Sequence, residues 1–356
     1  MMPTSGPMSK LPVPEVTLRE WAQCLMNPEA SLVGRSRALW GLRHAGEKLA
    51  ISLLGEFLRV TEPSPVADTL LQHEAAYCLG QRGDPEAVPL LITVMRDSKH
   101  HPVVRHEAAE ALAALCGAPG VDMDQVQGEL EKFANGKVVE LAETCQVGLR
   151  RIEWLRSSHG DVPESDIGTQ FFPFTIDPAP PMNQSTPTGS DGQQLHDIMM
   201  DPKQNLFTRY QALFSLRDRI LRAKLQQDSD DLERSAQFLA KGLQAPGSDL
   251  LRHEVAFVLG QLALTETVPH LVECVRDSSA HAMVRHEAFE ALGAVIGQSE
   301  TDASNAKNPC LKLAREELQE GLKDPEPLVR ESCVLALDIA DYVSSSDQFQ
   351  YAFVPS

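Results

Sequence analysis

Aromatic side chains are scarce in this 356-residue sequence, at 5%. That scarcity fits helices packed on Ala and Leu better than a sheet structure, whose strands draw on aromatic and β-branched residues. No run of 18 apolar residues occurs, so a membrane-spanning helix is excluded. Met1–Glu15 has no apolar stretch of the roughly 7–15 residues that a secretory leader needs, and secretion is not expected. Basic residues are outnumbered, with 32 Lys and Arg against 50 Asp and Glu, and the net charge is −18. Nucleic acid is therefore an unsuitable partner, because its phosphates call for Lys and Arg patches. A cationic partner or substrate suits such a field. No CxxC pair exists among Cys24, Cys78, Cys116, Cys145, Cys274, Cys310 and Cys333, and a zinc finger is excluded by spacing. The odd count and the Ala/Leu-rich surroundings read as reduced, buried thiols in a cytoplasmic protein, with the nucleus open as a second compartment. GxSxG, the Walker loop, GxGxxG and HExxH are all missing; HEAAE and HEVAF lack the second His of a zincin. Catalysis, if present, must then come from bound metal. Hydrophobic residues, at 42%, suffice for a folded core.

Internal repetition organises the chain. VRHEAAEAL at Val104–Leu112 returns as VRHEAFEAL at Val284–Leu292, 180 residues later. Without gaps, Val88–Gly117 matches Val268–Gly297 at 17 of 30 positions. LQHEAAYCLGQ (Leu71–Gln81) and LRHEVAFVLGQ (Leu251–Gln261) obey the same offset. A shorter period of 33 residues separates His73 from His106 and His253 from His286. Weaker copies flank these, Ala38–Arg43 with Ala212–Arg217 and Glu143–Leu149 with Glu331–Leu337. Each half thus holds about four repeats with degenerate outer members, as caps are. Each repeat reads as a helix pair: Pro85–Arg96, a break at Asp97–Pro102, then Val103–Cys116. Ankyrin and TPR signatures are lacking, and the repeats resemble HEAT-like ones.

The expected architecture is all-α: a HEAT-like solenoid of two pseudo-symmetric arms that face each other across a central metal site. The arms span 15–156 and 195–343, with tails at 1–14 and 344–356. Between the arms, 157–194 is rich in Pro, Ser, Thr and Gly and reads as a linker. Its aromatic centre, Phe171–Pro181, is expected to pack on one arm. Gln298–Asn308 reads as a low-complexity insertion.

Four His-Glu dipeptides stand at one point of four repeats: His73-Glu74, His106-Glu107, His253-Glu254 and His286-Glu287. On a helical wheel with His106 at zero, Val104, Ala108, Ala111, Leu112 and Leu115 fall at about 140–240°. His106 is then expected to point away from the core of its own helix pair. Adjacent helices stack about 8–10 Å apart, so histidines of neighbouring repeats can share a metal. Two histidines and one carboxylate leave coordination positions open and suit iron(II) that activates oxygen, although imidazole and carboxylate also accept zinc. A repeat-stabilising polar pair would occur in the outer repeats too, and the His-Glu pairs do not. Glu110 and Glu290 share the polar face but face Tyr77 and Phe257 as equivalents, which weakens them as ligands. Arg105, Arg252 and Arg285, with Gln72 as the fourth counterpart, read as structural ion-pair partners. His100, His101, His270 and His281 read as solvated or turn residues.

At these four pairs the sequence resembles the deoxyhypusine hydroxylase family over nearly the whole chain. The resemblance extends to the two-arm duplication, the LxHEaAyxLGQ and VRHEAxEALgA blocks and the DPAPP of Asp177–Pro181. A single block also resembles the phycobilin lyase group. The resemblance implies a non-haem di-iron monooxygenase with two iron ions per chain and molecular oxygen as co-substrate. It implies hydroxylation of the deoxyhypusine side chain on translation initiation factor 5A, completing hypusine. His73, His106 and Glu107 would bind one iron, and His253, His286 and Glu287 the other. Glu74 and Glu254, from the same motif, would join the metal sites or hold the substrate amines. A monomer that binds neither nucleic acid nor membrane is expected. The competing readings are a non-catalytic HEAT scaffold for a basic protein, a chromophore lyase-like protein and a zinc hydrolase.

Overall fold

A computed structural model describes residues 12–61, 64–65, 68–157, 167–172, 175–183, 191–300 and 308–344. Most of both expected tails, and 301–307 of the expected insertion, lie outside the described residues. Two compact units divide the chain between Ala179 and Pro180.

The first unit is a stack of four helix pairs. They are α1 (Glu15–Leu25) with α2 (Leu32–His44), α3 (Lys48–Leu58) with α4 (Thr69–Arg82), α5 (Val88–Arg96) with α6 (Pro102–Leu115), and α7 (Met123–Leu130) with α8 (Val139–Ser157). A short α9, Ile167–Phe171, follows. The second unit repeats the scheme. It pairs α10 (Gly192–Met200) with α11 (Leu206–Gln226), α12 (Ser229–Ala240) with α13 (Asp249–Leu262), α14 (Val268–Arg276) with α15 (Ala282–Glu300), and α16 (Pro309–Gly321) with α17 (Pro327–Ser344). Among the described residues the fold is a helical-repeat solenoid, as the periodicity requires.

Local chemistry sets the helix ends. The Asp68 side chain accepts from the Leu71 N–H to start α4, and Ser248 accepts from Leu251 to start α13. Gly83 ends α4 in the left-handed region at φ 71°, which glycine adopts without a Cβ clash. Pro85 opens a separate 3-10 turn, Pro85–Ala87, and α5 begins only at Val88. His101 and His281 are N-terminal caps: their Nδ1 atoms accept from the N–H groups of Val103 and Met283 at 3.3 and 3.2 Å.

A second device ties two of the first unit's pairs together. In these, the side chain before the His-Glu pair reaches back to the carbonyls at the end of the preceding helix. Gln72 Nε2 donates to the carbonyls of Val60 at 2.7 Å and Phe57 at 3.2 Å, and Arg105 Nε donates to that of Met95 at 2.9 Å. Arg285 adds an ion pair with Asp324, and Arg252 pairs with Asp249. The ion-pair role expected for these arginines holds for Arg252 and Arg285. Arg105 instead donates to a backbone carbonyl and lies over the Phe133 ring, with its guanidinium carbon 5.8 Å from the centroid.

The segment between the repeats is more than a tether. Ile176 donates its N–H to Gln81 Oε1 at 2.7 Å, and Ala179 is fully buried. Phe171, expected to pack on an arm, is instead 39% exposed, so the smaller residues after it carry the docking. The expected insertion begins inside α15, which stays helical through Glu300.

The second helices of successive pairs pack on one another, α4 on α6 on α8 and α13 on α15 on α17. Glycine–alanine contacts bring them close. A Cβ added to Gly80 would lie 2.7 Å from the Ala111 Cα, and one added to Gly260 would lie 3.2 Å from the Ala291 Cα. At the next crossing the residue types are exchanged: Gly148 sits against Ala113 in the first unit, whereas Gly293 sits against Ala336 in the second. Gly80→Ala is expected to lower stability by about 1–3 kcal/mol through overpacking, because the obstacle is backbone. Urea unfolding checks this, and an unchanged midpoint would mean that α4 and α6 have room to spare.

Candidate metal centre

The close approach of α4 and α6 carries their His-Glu pairs together. His73 and His106 have ring centroids 5.6 Å apart, and His73 Nε2 lies 3.3 Å from Glu107 Oε2. The potential ligand atoms of His73, His106 and Glu107 all lie within 4.8 Å of one another. Glu74 approaches His73 from the other side, with Oε1 at 3.2 Å from Nδ1. The second unit repeats the arrangement on α13 and α15. The rings of His253 and His286 are 5.4 Å apart, and His253 Nε2 lies 3.3 Å from Glu287 Oε2.

The helical wheel placed these histidines on an outward face, yet all four are buried, with His106 and His286 fully so. A wheel describes one helix against its own partner. Along the stack, the His73 ring of the neighbouring repeat lies 5.6 Å from that of His106. Glu107, Glu254 and Glu287 are buried as well, and the Glu74 side chain keeps 14% exposure.

Buried imidazoles and carboxylates are costly unless they are paired or bind a cation. Two neutral imidazoles and a carboxylate converging in a water-poor place form a donor set for a divalent transition metal. The residues of the first unit fit that role directly, and those of the second reproduce its pairing. Cys116 and Cys145 are unsuited to chemistry: burial pushes their thiols up to about 11 and about 12.

Proton affinities around the first set are displaced. Burial alone would lower the His73 imidazole, but hydrogen bonds to Glu107 and Glu74 outweigh it and raise it well above the ordinary histidine value. Burial, and then the negative charge of Glu107, raises the Glu110 carboxyl to about 8. Arg151 and Asp177 also act on Glu110; the sequence marks Asp177 only as part of the DPAPP run and gives no sign of Arg151. The sequence reading also passed over Ser332, whose Oγ lies 3.4 Å from His286 Nδ1 and donates to Glu290 Oε1 at 2.9 Å. The overlooked signal was register: Glu331-Ser332 occupies, in the fourth repeat, the position that His-Glu holds in the middle two.

A solenoid of HEAT-type helix pairs with a duplicated, buried histidine–carboxylate set defines the class of this protein. The HEAT repeats model matches residues 64–123, and the PBS lyase HEAT-like repeat model matches residues 251–277. The chain is 40% identical over 341 residues to deoxyhypusine hydroxylase of Mus musculus, covering 96% of each chain. It is 38% identical over 331 residues to that of Homo sapiens, covering 93% of each. The structure of human deoxyhypusine hydroxylase in complex with glycerol matches with a TM-score of 0.72 at 36% identity, over 92% of this chain and 98% of that one. The chain belongs to the deoxyhypusine hydroxylase family.

Both displaced groups bind protons more tightly in the folded chain than in the unfolded one, so their contribution to stability falls as pH rises. For Glu110 the loss runs from the ordinary carboxylate range to about 8; for His73 it begins near the ordinary histidine value and continues above it. Chelator-stripped protein should therefore lose stability between pH 5 and pH 8, and Glu110→Gln should flatten part of that fall. Urea midpoints across the range measure it, and a variant as steep as the parent would remove Glu110 from the account.

Proposed function

We propose that this chain hydroxylates the deoxyhypusine side chain of the translation initiation factor 5A precursor with molecular oxygen, as a cytoplasmic di-iron monooxygenase. The observation that carries the reading is the buried His73–His106–Glu107 set and its counterpart in the second unit, within a chain of this family. His73, His106 and Glu107 would hold one iron ion, and His253, His286 and Glu287 a second. Bound iron supplies the activation of oxygen that insertion into an unactivated carbon–hydrogen bond requires.

The chain's own residues do the rest. Glu107 and Glu287 bring negative charge to the imidazole pairs, which offsets a dication. Burial excludes bulk water from both sets and strengthens each charge interaction within them. Glu74 keeps 14% side-chain exposure and is placed to accept from a cationic amine of the substrate. Glu254, the counterpart of Glu74 in the second motif, is buried and would hold an amine only inside the site or join the metal. The −18 net charge adds a long-range field that draws in a polyamine-bearing protein. No helix among the described residues is long and apolar enough to cross a membrane, in keeping with a protein substrate met in solution.

Metal analysis of purified protein tests the reading. Two irons per chain are expected, and His106→Ala with His286→Ala should remove both. A folded chain that takes up no metal would leave a HEAT scaffold for a basic partner, and stoichiometric zinc would favour hydrolysis. In steady-state assays on the deoxyhypusine-bearing factor, Glu74→Gln should weaken substrate binding by about 1.5–3 kcal/mol, the worth of a hydrogen bond to a charged group. An unchanged KM would exclude Glu74 from amine binding.

A further inference from the structure

The stacking register of the second helices places the residue after each histidine position against the histidine of the preceding helix. Glu107 meets His73 in this way, and Glu287 meets His253. The register continues one repeat further. Gly148 packs on Ala113 just as Ala111 packs on Gly80, and the same holds for Ala336 on Gly293. Counting back from those contacts, Glu143-Thr144 and Glu331-Ser332 stand where the other repeats have His-Glu.

In the second unit this hydroxyl is put to use. Ser332 is fully buried. It has one hydrogen, which it donates to Glu290 Oε1 at 2.9 Å. Its oxygen can then only accept from His286 Nδ1, 3.4 Å away. Glu290 Oε1 itself lies 3.6 Å from Nδ1. The proton of His286 is thereby held on Nδ1, and the Nε2 lone pair is left for a metal. In the first unit Thr144 donates to the Glu140 carbonyl of its own helix, at 2.8 Å.

We infer that Ser332 and Glu290 form a positioning pair for His286, fixing its ring and tautomer so that Nε2 serves the metal of the second unit. Glu290 is thus a support for a ligand and not itself a ligand. Metal-ligating histidines commonly give their second ring N–H to such a group, and its loss weakens the metal about 10–100-fold. The inference rests on the metal reading above.

The test uses cobalt(II) as an optical probe in the full chain, in a His106→Ala background so that the second set is read by itself. Competition with a chelator gives the affinity, and the ligand-field spectrum reports the geometry. Ser332→Ala and Glu290→Gln should each weaken cobalt(II) about 10–100-fold and shift its bands. Ser332→Thr, which keeps the hydroxyl, should restore both. Thr144→Ala should change neither. Thermal unfolding of the metal-free variants separates the alternative of a purely structural role, which would lower the melting temperature and leave affinity and spectrum alone. Parental affinity and spectrum in Ser332→Ala would overturn the inference while the metal reading stands. Absence of cobalt(II) and iron(II) binding in the unmutated chain would overturn the metal reading, and the inference with it.

Discussion

Everything at the candidate centre depends on how closely two helices can lie. His73 and His106 are on different helices of successive repeats. Their rings meet because the helices touch backbone to backbone at Gly80 and Ala111. A larger residue at either place would lengthen the distance between helices, and with it every distance in the donor set. The metal site is therefore built by packing and needs no specialised loop. This suits a solenoid, where each repeat touches only its neighbours and a site must be assembled from adjacent units.

Electrostatics works against this arrangement until a cation is present. Two imidazoles and a carboxylate share a buried place, with Glu110 nearby and raised to about 8. The metal-free fold answers by holding protons, on His73 above all. Metal ligands must release such protons to bind. The same groups that stabilise the empty chain through protons thus stabilise the loaded chain through the ion, and the centre trades one kind of positive charge for another.

Much of this was legible in the sequence, because the repeats print their geometry as spacing. The 33-residue and 180-residue intervals locate four His-Glu pairs and, with them, the helix pairs that bear them. Burial of the histidines was not legible. A wheel drawn on one helix has no knowledge of the other elements that pack against it. Ser332 was missed because a serine in an Ala/Leu helix carries no chemical signature; only its register against Gly293 marks it. Docking of the segment around 171–181 was expected from its aromatics, but the residues that carry it were not: one hydrogen bond from Ile176 to Gln81 and the burial of Ala179 leave no periodic trace.

The exchange of residue types at the last crossing has its own consequence. In one unit the glycine lies on α8 and faces Ala113; in the other it lies on α15 and faces Ala336. What the duplicated halves share is the combined volume of the pair, and either helix can supply the smaller member. A half-chain transplant that took α15 from one unit and its neighbour from the other would place two alanines, or two glycines, at one crossing. The halves look like copies, yet their helices are matched in couples and are not interchangeable parts.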